Sequence, residues 1–451
     1  MNIRSFLAKY VGYKSVSCDD SCLKDMKNVR NFLCDFLHDS GLQIQEVAAE
    51  KHGIILAKND HKLGRNTVLL YGHYDVQPAE EPGWESDPFT MVEHDGRLYA
   101  RGASDDKGGT STFLVALNEL LSENRDFPLN ITVVLEGEEE IGSPGMLKFI
   151  QEYRDELRAD FAVVADTGSI DEENIILTTG LRGLVGFELT LRSAKHDIHS
   201  GYGGAIVNPI RELVKLCASF HNPDGSVNIP GFYDNVVPPS EFERSQTRLL
   251  PFKDAEFLAK LGVKKLSNDQ DAYSAIDSMR FLPTLEFNGI TGGYQGDGLK
   301  TIIPGEASVK ITCRLVNNQD VDTIRFLLKR AIYERVDSNI EVELNFEKAS
   351  NPYNLLSNPD CFDNATSIGH GIKIADQEIK NIFGKSPLYL RDGGSIALMR
   401  LLKDVLSLDS ILVGFSSTRD HIHDANESIS VEMLEKGCIF FKNFLTRLAL
   451  D

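Results

Sequence analysis

The feature that most constrains this chain is a set of four short apolar runs, each followed by histidine or carboxylate. VLLYG (68–72) runs into His73-Tyr74-Asp75, and ITVVL (131–135) into Glu136-Gly137-Glu138-Glu139-Glu140. FAVVA (161–165) runs into Asp166, and SILVGF (410–415) leads to Asp420-His421-Ile422-His423-Asp424. Continuous apolar runs of this length read as strands buried on both faces, as in parallel sheets covered by helices. In open parallel sheets, ligands bind outside the carboxyl ends of the strands. The pattern therefore delivers histidines and carboxylates to one edge of one sheet. A fifth piece, Ala103-Ser104-Asp105-Asp106-Lys107-Gly108-Gly109, is a Gly-rich loop before a helical stretch. It is a poor phosphate cradle, because adjacent aspartates repel phosphate and no Lys-Ser/Thr pair closes the loop.

Taken singly, each piece has a plainer reading: a satisfied strand-end histidine at 73, a solvated acidic face at 138–140, a turn cap at Asp166. Together they make a crowd of carboxylates that is unstable unless a cation neutralises it. Mixed histidine and carboxylate donors suit zinc, and manganese and cobalt accept the same set. In His73-x-Asp75, alternation puts both side chains on one side, so Asp75 can take the other ring N–H of His73 and orient it. Glu139 and Glu140 point apart, so one can ligate while the other reaches a metal-held water as general base. These residues read as a two-metal hydrolase.

The remaining pattern predicts α/β architecture with an insertion. Helical spacing covers Leu23–Leu42 and Thr110–Leu121. After Gly180-Leu-Arg-Gly183 the texture changes: Leu184–Arg192, Glu306–Val316 and Ile340–Phe346 read as strands, the first two plainly alternating, and Pro209–Phe220 and Asp322–Arg335 as helices. Asn222–Asp297, rich in Pro, Gly, Asn and Asp, defies assignment. A long helix over Cys361–Phe383 and a closing one over Val431–Leu450 complete the pattern. The expected organisation is a catalytic domain in two parts, 1–183 and 350–451, with an inserted α+β sandwich over 184–349. The balance of 47 basic against 67 acidic residues, a net charge of −20, argues against nucleic-acid or anionic-membrane partners. No apolar run approaches the ~18–20 residues of a membrane span. The N-terminus has no uninterrupted apolar stretch of the signal-peptide kind, so a cytoplasmic location is expected. Seven scattered cysteines complete no zinc-knuckle spacing and read as reduced thiols.

At these residues the chain resembles the di-zinc metallopeptidase family of carnosinases, cytosolic non-specific dipeptidases, glutamate carboxypeptidases and N-acyl-amino-acid deacylases, and most closely its carnosinase-like branch. The motifs occur in order along nearly the whole chain: Gly72-His-Tyr-Asp-Val-Gln-Pro78, Arg101-Gly-Ala-Ser-Asp-Asp-Lys-Gly108, Glu136-Gly-Glu-Glu-Glu-Ile-Gly-Ser143, Gly180-Leu-Arg-Gly183, Asp197-Ile-His-Ser-Gly201, Arg391-Asp-Gly-Gly-Ser395 and His423-Asp-Ala-Asn-Glu427. The resemblance implies a zinc-peptidase-like α/β catalytic domain with a mainly parallel central sheet, and an inserted lid and dimerisation domain. It implies two zinc ions per subunit: His73 and Asp166 on one, Glu140 and His423 on the other, Asp105 bridging. Glu139 becomes the general base and Asp75 the partner of His73, with a cis peptide at Asp105-Asp106. His423 is preferred to His421 by its His-x-x-Asn-Glu context.

In the inserted domain the resemblance makes Arg314 the grip on a substrate's free carboxylate, with Gly394 and Ser395 completing the pocket. His199 and Thr301 are implied to act in the partner subunit's site, His199 stabilising the oxyanion, so a homodimer is expected. The match departs at Glu138, an extra negative charge beside the metals, and at Asp392, where dipeptidase relatives often have glutamate. Lys348-Ala-Ser-Asn-Pro352 also lacks their substrate-pocket histidine. The expected function is hydrolysis of the amide bond in dipeptides or small peptides with a free C-terminal carboxylate. The attacking water is held between the metals and deprotonated by Glu139. Its competitors are deacylation of an N-acyl amino acid (acetylornithine- or succinyl-diaminopimelate-type) on the same centre, and a non-catalytic binding role.

Overall fold

The computed structural model describes residues 2–267, 273–357 and 359–450. It comprises two compact units, one of Met1–Thr179, Leu355–Leu390 and Leu398–Asp451, the other of Gly180–Asn354 and Arg391–Ala397. The chain thus leaves the first unit at Thr179, four residues before the expected boundary, and returns at Leu355. It then sends Arg391–Ala397 back into the second unit. The short excursion is held there by the backbone bond from Arg182 N to Gly394 O (2.9 Å) and by the buried Arg391–Glu243 pair (2.7 Å).

The first unit is built on a sheet whose centre is the four apolar runs. Asn130–Glu136, Thr67–His73, Phe161–Val164 and Ser410–Val413 lie side by side in that order, all parallel. Every residue of Asn130–Glu136 is buried, as a strand covered on both faces requires. Around this parallel centre the sheet is mixed. Gln43–Ala48 and Gly53–Lys58 form a hairpin, antiparallel by necessity because four residues connect them, and Gly53–Lys58 runs antiparallel to Asn130–Glu136. Ile176–Leu181 closes the other side antiparallel to Ser410–Val413.

The helix Lys107–Glu123 packs on Thr67–His73, Ile3–Val11 and the closing helix Val431–Leu448. It is buried over most of its length because it begins inside the acidic loop. A Cβ on Gly108 would lie 2.0 Å from Ala103 O, and one on Gly109 2.2 Å from Asp106 Oδ1, so only glycine lets the Asp105 loop fold onto the helix start. Phe415, Phe441 and Phe444 gather around Phe440, their ring centroids 5.3–5.5 Å from its own. The helix expected from Cys361 starts instead at Ser367. Thr366 caps it through Gly369 N (3.2 Å), and Pro359–Phe362 forms a separate short turn.

The second unit is a two-layer α+β sandwich. Its four-stranded antiparallel sheet runs Thr284–Gly292, Glu306–Leu315, Gly183–Arg192, Glu341–Ser350. Alternation sends Val185, Leu189, Leu191, Val309, Ile311 and Cys313 into one core with the helices Pro209–Ser219 and Val321–Arg335. The unassigned stretch 222–297 holds the helices Glu241–Arg248 and Ala275–Phe281, each opened by a capping box, Ser240/Glu243 and Ser274/Asp277. That Ser-x-x-Glu/Asp spacing is a readable helix signal.

Candidate active site

The carboxyl ends of the parallel strands converge on two groups of potential ligands that share one residue: His73, Asp105 and Asp166, and Asp105, Glu140 and His423. Asp105 faces both ways. Its Oδ1 lies 3.1 Å from His73 Nε2, and its Oδ2 3.0 Å from His423 Nε2. Asp166 Oδ2 is 4.0 Å from His73 Nε2, and Glu140 Oε1 is 3.4 Å from His423 Nε2. At metal–ligand distances of about 2.0–2.2 Å, two donors of a tetrahedral site sit roughly 3.3–3.6 Å apart, so both groups are close to a metal's requirement. Glu140 adds a sharper sign: Oε2 accepts from Gln77 Nε2 (2.8 Å), while Oε1 is buried without a hydrogen-bond partner. A buried carboxylate oxygen left bare beside three other acids fits a cation ligand. The peptide Asp105–Asp106 is cis.

The electrostatics describe a cluster short of positive charge. Burial, reinforced by the charges of Glu140, Asp105 and Glu136 and opposed by His73, pushes the Glu139 carboxyl up to about 8. Burial and the Asp105 charge hold Asp166 well above the usual carboxylate range. The Asp105 hydrogen bond and the neighbouring Glu140 carboxylate push His423 up to about 10. Burial alone would lower His73, yet Asp105, Asp75 and Asp166 raise it well above a normal imidazole.

Asp75 lies against His73 and has a second part. His73 Nδ1 faces Asp75's carbonyl at 3.0 Å and its carboxylate Oδ1 at 3.4 Å. The carboxylate also accepts the N–H groups of Glu139 (3.2 Å) and Glu140 (3.0 Å). One residue thus fixes the His73 ring and the backbone carrying both glutamates. Glu138 needs correction. Its carboxylate turns away from the clusters to accept Lys51 N and His52 N (2.6 Å each) and Gly145 N (3.3 Å). His421 is exposed and belongs to neither group.

Sequence reasoning missed the clamp behind Asp105. Glu427, fully buried, accepts Gly102 N (3.0 Å), Ser104 N (2.9 Å), Asp105 N (3.0 Å) and Arg101 Nη1 (2.8 Å). Asp420 is a strut, pairing with Arg97 and accepting Ser104 Oγ (2.7 Å). Both lie inside motifs read for their histidines, and their burial was the missing signal.

In the second unit Arg314 Nη1 donates to Ser395 Oγ (2.9 Å), Ser395 Oγ donates to Arg182 O, and Gly394 N donates to Asp392 Oδ1 (2.6 Å). His199 and Thr301 share one exposed ribbon: Ile198–His199 pairs with Ile302–Ile303, and Ser200 N donates to Thr301 O (2.9 Å). Gly201 N donates to His199 Nδ1 (3.0 Å), which leaves the proton on Nε2.

Comparison with known proteins finds metallopeptidases along the chain. Cys-Gly metallodipeptidase dug1 of Schizosaccharomyces pombe is 28% identical over 459 residues, covering 98% of this chain and 94% of that protein. Human Beta-Ala-His dipeptidase is 28% identical over 403 residues, covering 88% of this chain and 77% of its own. The crystal structure of human carnosine dipeptidase 1 superposes with a TM-score of 0.82 at 26% identity, covering 100% of this chain and 96% of that one. An M20 family metallo-carboxypeptidase from Sulfolobus solfataricus superposes with a TM-score of 0.88 at 26% identity and full coverage of both chains. The family model matches residues 69–447, from within the first ligand-bearing strand to the closing helix, and the chain with its paired ligand clusters belongs to the metallopeptidases of peptidase family M20/M25/M40.

Proposed function

We propose that this enzyme hydrolyses the peptide bond of dipeptides with a free C-terminal carboxylate, using two zinc ions held by the paired clusters. The observation that carries the reading is Asp105, whose two oxygens each face a separate histidine and carboxylate. The dipeptidase relatives support the substrate class. His73 and Asp166 would hold one ion, Glu140 and His423 the other, with Asp105 common to both. When bound, the ions supply Lewis acidity and make water acidic enough to ionise near neutral pH.

The chain's own groups do the rest. Glu139, beside the ligands and bound by none of them, takes the proton of the attacking water and returns it to the leaving amine. Asp75 keeps Glu139 and Glu140 in register through their N–H groups. His199, with its proton on Nε2, donates to the developing oxyanion, and removing such a donor costs ~2.7–4 kcal/mol. Arg314 grips the substrate carboxylate as a bidentate fork, with Gly394 and Ser395 beside it. The enzyme works as a cytoplasmic homodimer in which His199 and Thr301 serve the partner's site, a role their exposure on one ribbon supports.

The test is hydrolysis by zinc-loaded protein of dipeptides matched against N-acetyl amino acids, followed by amine release. Cleavage of the dipeptides is the expected result. Preferential cleavage of the acetylated set would make the enzyme a deacylase.

A further inference from the structure

Three arginines of the second unit lack counterions. Arg314 lies opposite Leu184 in the sheet, Arg182 comes just before that strand, and Ser395 Oγ joins the two by accepting from Arg314 Nη1 and donating to Arg182 O. Arg182 Nε donates to Gly393 O (2.8 Å). A Cβ on Gly393 would lie 3.4 Å from Arg182 Nη2 and 3.1 Å from Met279 O, which brings the Ala275–Phe281 helix, and with it Arg280, against the same loop. Arg280 is only 8% exposed, and its Nη1 is buried without a hydrogen-bond partner. Among the described residues, none of the three makes an ion pair.

Their neighbour Arg391 shows the contrast. It is neutralised by Glu243 (2.7 Å) and stacks 5.1 Å over Phe281. The carboxylate whose charge reaches all three is Asp392, and its Oδ1 already holds Gly394 N. Asp277 closes its capping box with Oδ2 alone and makes no ion pair with Arg280 among the described residues, and Glu286 is exposed to water. Burial and the charge of Arg314 pull Arg182 down to about 10, the direction expected of a guanidinium short of anions. An unpaired buried guanidinium costs several kcal/mol, so such a cluster is built for anionic ligands.

We propose that Arg182, Arg280 and Arg314, gathered around the Asp392–Ser395 loop, form a specificity pocket for peptides whose C-terminal residue carries an acidic side chain. Three guanidiniums share Asp392, with Asp277 acting also on Arg280 and the exposed Glu286 on Arg182. The α-carboxylate and side-chain carboxylate of a C-terminal glutamate or aspartate match the donors left over. Arg314 takes the α-carboxylate, and Arg182 and Arg280 take the other. This inference rests on the dipeptidase reading.

The experiment measures kcat/KM of the zinc-loaded enzyme on Gly-Glu, Gly-Gln and Glu-Gly, with binding of free glutamate and glutamine by calorimetry. Gly-Glu is expected to exceed Gly-Gln at least tenfold, chiefly through KM, and Glu-Gly to gain nothing from its acid. Arg280→Gln and Arg182→Gln should each collapse the Glu-over-Gln ratio, and Arg280→Lys should restore part of it. Equal kcat/KM on Gly-Glu and Gly-Gln overturns the proposal while leaving the dipeptidase reading intact. If neither peptide is cut, the dipeptidase reading fails and calorimetry decides the pocket. Tighter glutamate binding that Arg280→Gln abolishes sustains it, and equal binding of glutamate and glutamine refutes it.

Discussion

Replacing Glu427 with glutamine isolates the work of the clamp behind the metal ligands. The carboxylate receives four donors and nothing else. Oε1 takes Ser104 N and Asp105 N; Oε2 takes Gly102 N and Arg101 Nη1. Glutamine has nearly the same shape, but whichever way its amide turns, the NH2 faces two donors. Two hydrogen bonds to a charged acceptor are lost, and Arg101, 1% exposed, loses a counterion. Breaking such a pair costs roughly 3–5 kcal/mol, an amount that already contains the lost bonds. Part of this loosens the Gly102–Asp105 segment. Because Asp105 offers one oxygen to each cluster, both metal sites should weaken together, by the ~10–100-fold typical of lost outer-shell support. Zinc competition against a chromophoric chelator reads the affinity, and the melting temperature reads the stability. Glu243→Gln is the control. It strands Arg391 in the second unit at comparable structural cost and should leave zinc affinity near the parent's. Parental zinc affinity in Glu427→Gln, together with parental kcat/KM, would refute the argument that this carboxylate positions Asp105.

Four further outcomes are expected. Glu139→Ala should retain its zinc by elemental analysis yet lose ~10²–10⁴-fold in turnover, and retained activity would remove Glu139 as the base. Exhaustive chelation should abolish hydrolysis and zinc should restore it; full activity of metal-free protein would end the metallopeptidase mechanism. Mixing His199→Ala with Glu139→Ala should regain about a quarter of parental activity, because half of randomly exchanged dimers carry one intact site. No recovery after proven subunit exchange would count against catalysis in trans. Gly72→Ala places a Cβ 2.2 Å from Thr110 Oγ1 and 3.0 Å from Asp106 Oδ2, so it should destabilise by ~1–3 kcal/mol in thermal unfolding, and an unchanged melting temperature would show that the helix start gives way freely.

Much of the paired cluster was legible because His73, Glu140 and Asp166 follow closely on strands whose apolar character is unmistakable. A run such as VLLYG has no reading but a buried strand, and the residues that leave its carboxyl end must lie at the sheet edge. The hairpin Gln43–Lys58 escaped for the opposite reason. QIQEVA exposes most of its length and pairs only along one side, so its polarity hides the strand. The helices of 241–281 announce themselves by capping boxes, but their apolar residues are few and the surrounding Pro and Asn obscured them. Glu138 and Asp75 show a deeper limit. Sequence spacing says which side chains share a face, and it does not say whether a carboxylate will meet a metal or a backbone N–H. Glu138 meets the N–H groups of Lys51 and His52, more than 80 residues back, as well as that of nearby Gly145, and no local pattern encodes the first two.

The chain order of the site bears on its assembly. Four of the clustered residues, His73, Asp105, Glu140 and Asp166, come from the first segment of the first unit. The fifth, His423, and the clamp Glu427 come from the last, more than 300 residues beyond Asp105. Closing a contact of that separation costs chain entropy before any bond rewards it. The final segment is anchored by the packing of Val431–Leu448 on Lys107–Glu123 and by the strand Ser410–Val413 beside Phe161–Val164. Both anchors lie against elements that end or begin at the ligands Asp105 and Asp166. Docking of the last segment therefore delivers His423 and Glu427 to Asp105 in one step. The His73–Asp166 group needs no residue from that segment, yet its third member, Asp105, is held in place by Glu427. Metal affinity at both groups should therefore depend on the closing helix, and a substitution that loosens the helix, such as Phe441→Ala between Phe113 and Phe440, should weaken metal binding at both without touching either group. Loss of only the His423 site in that variant would show that Asp105 stands without its clamp.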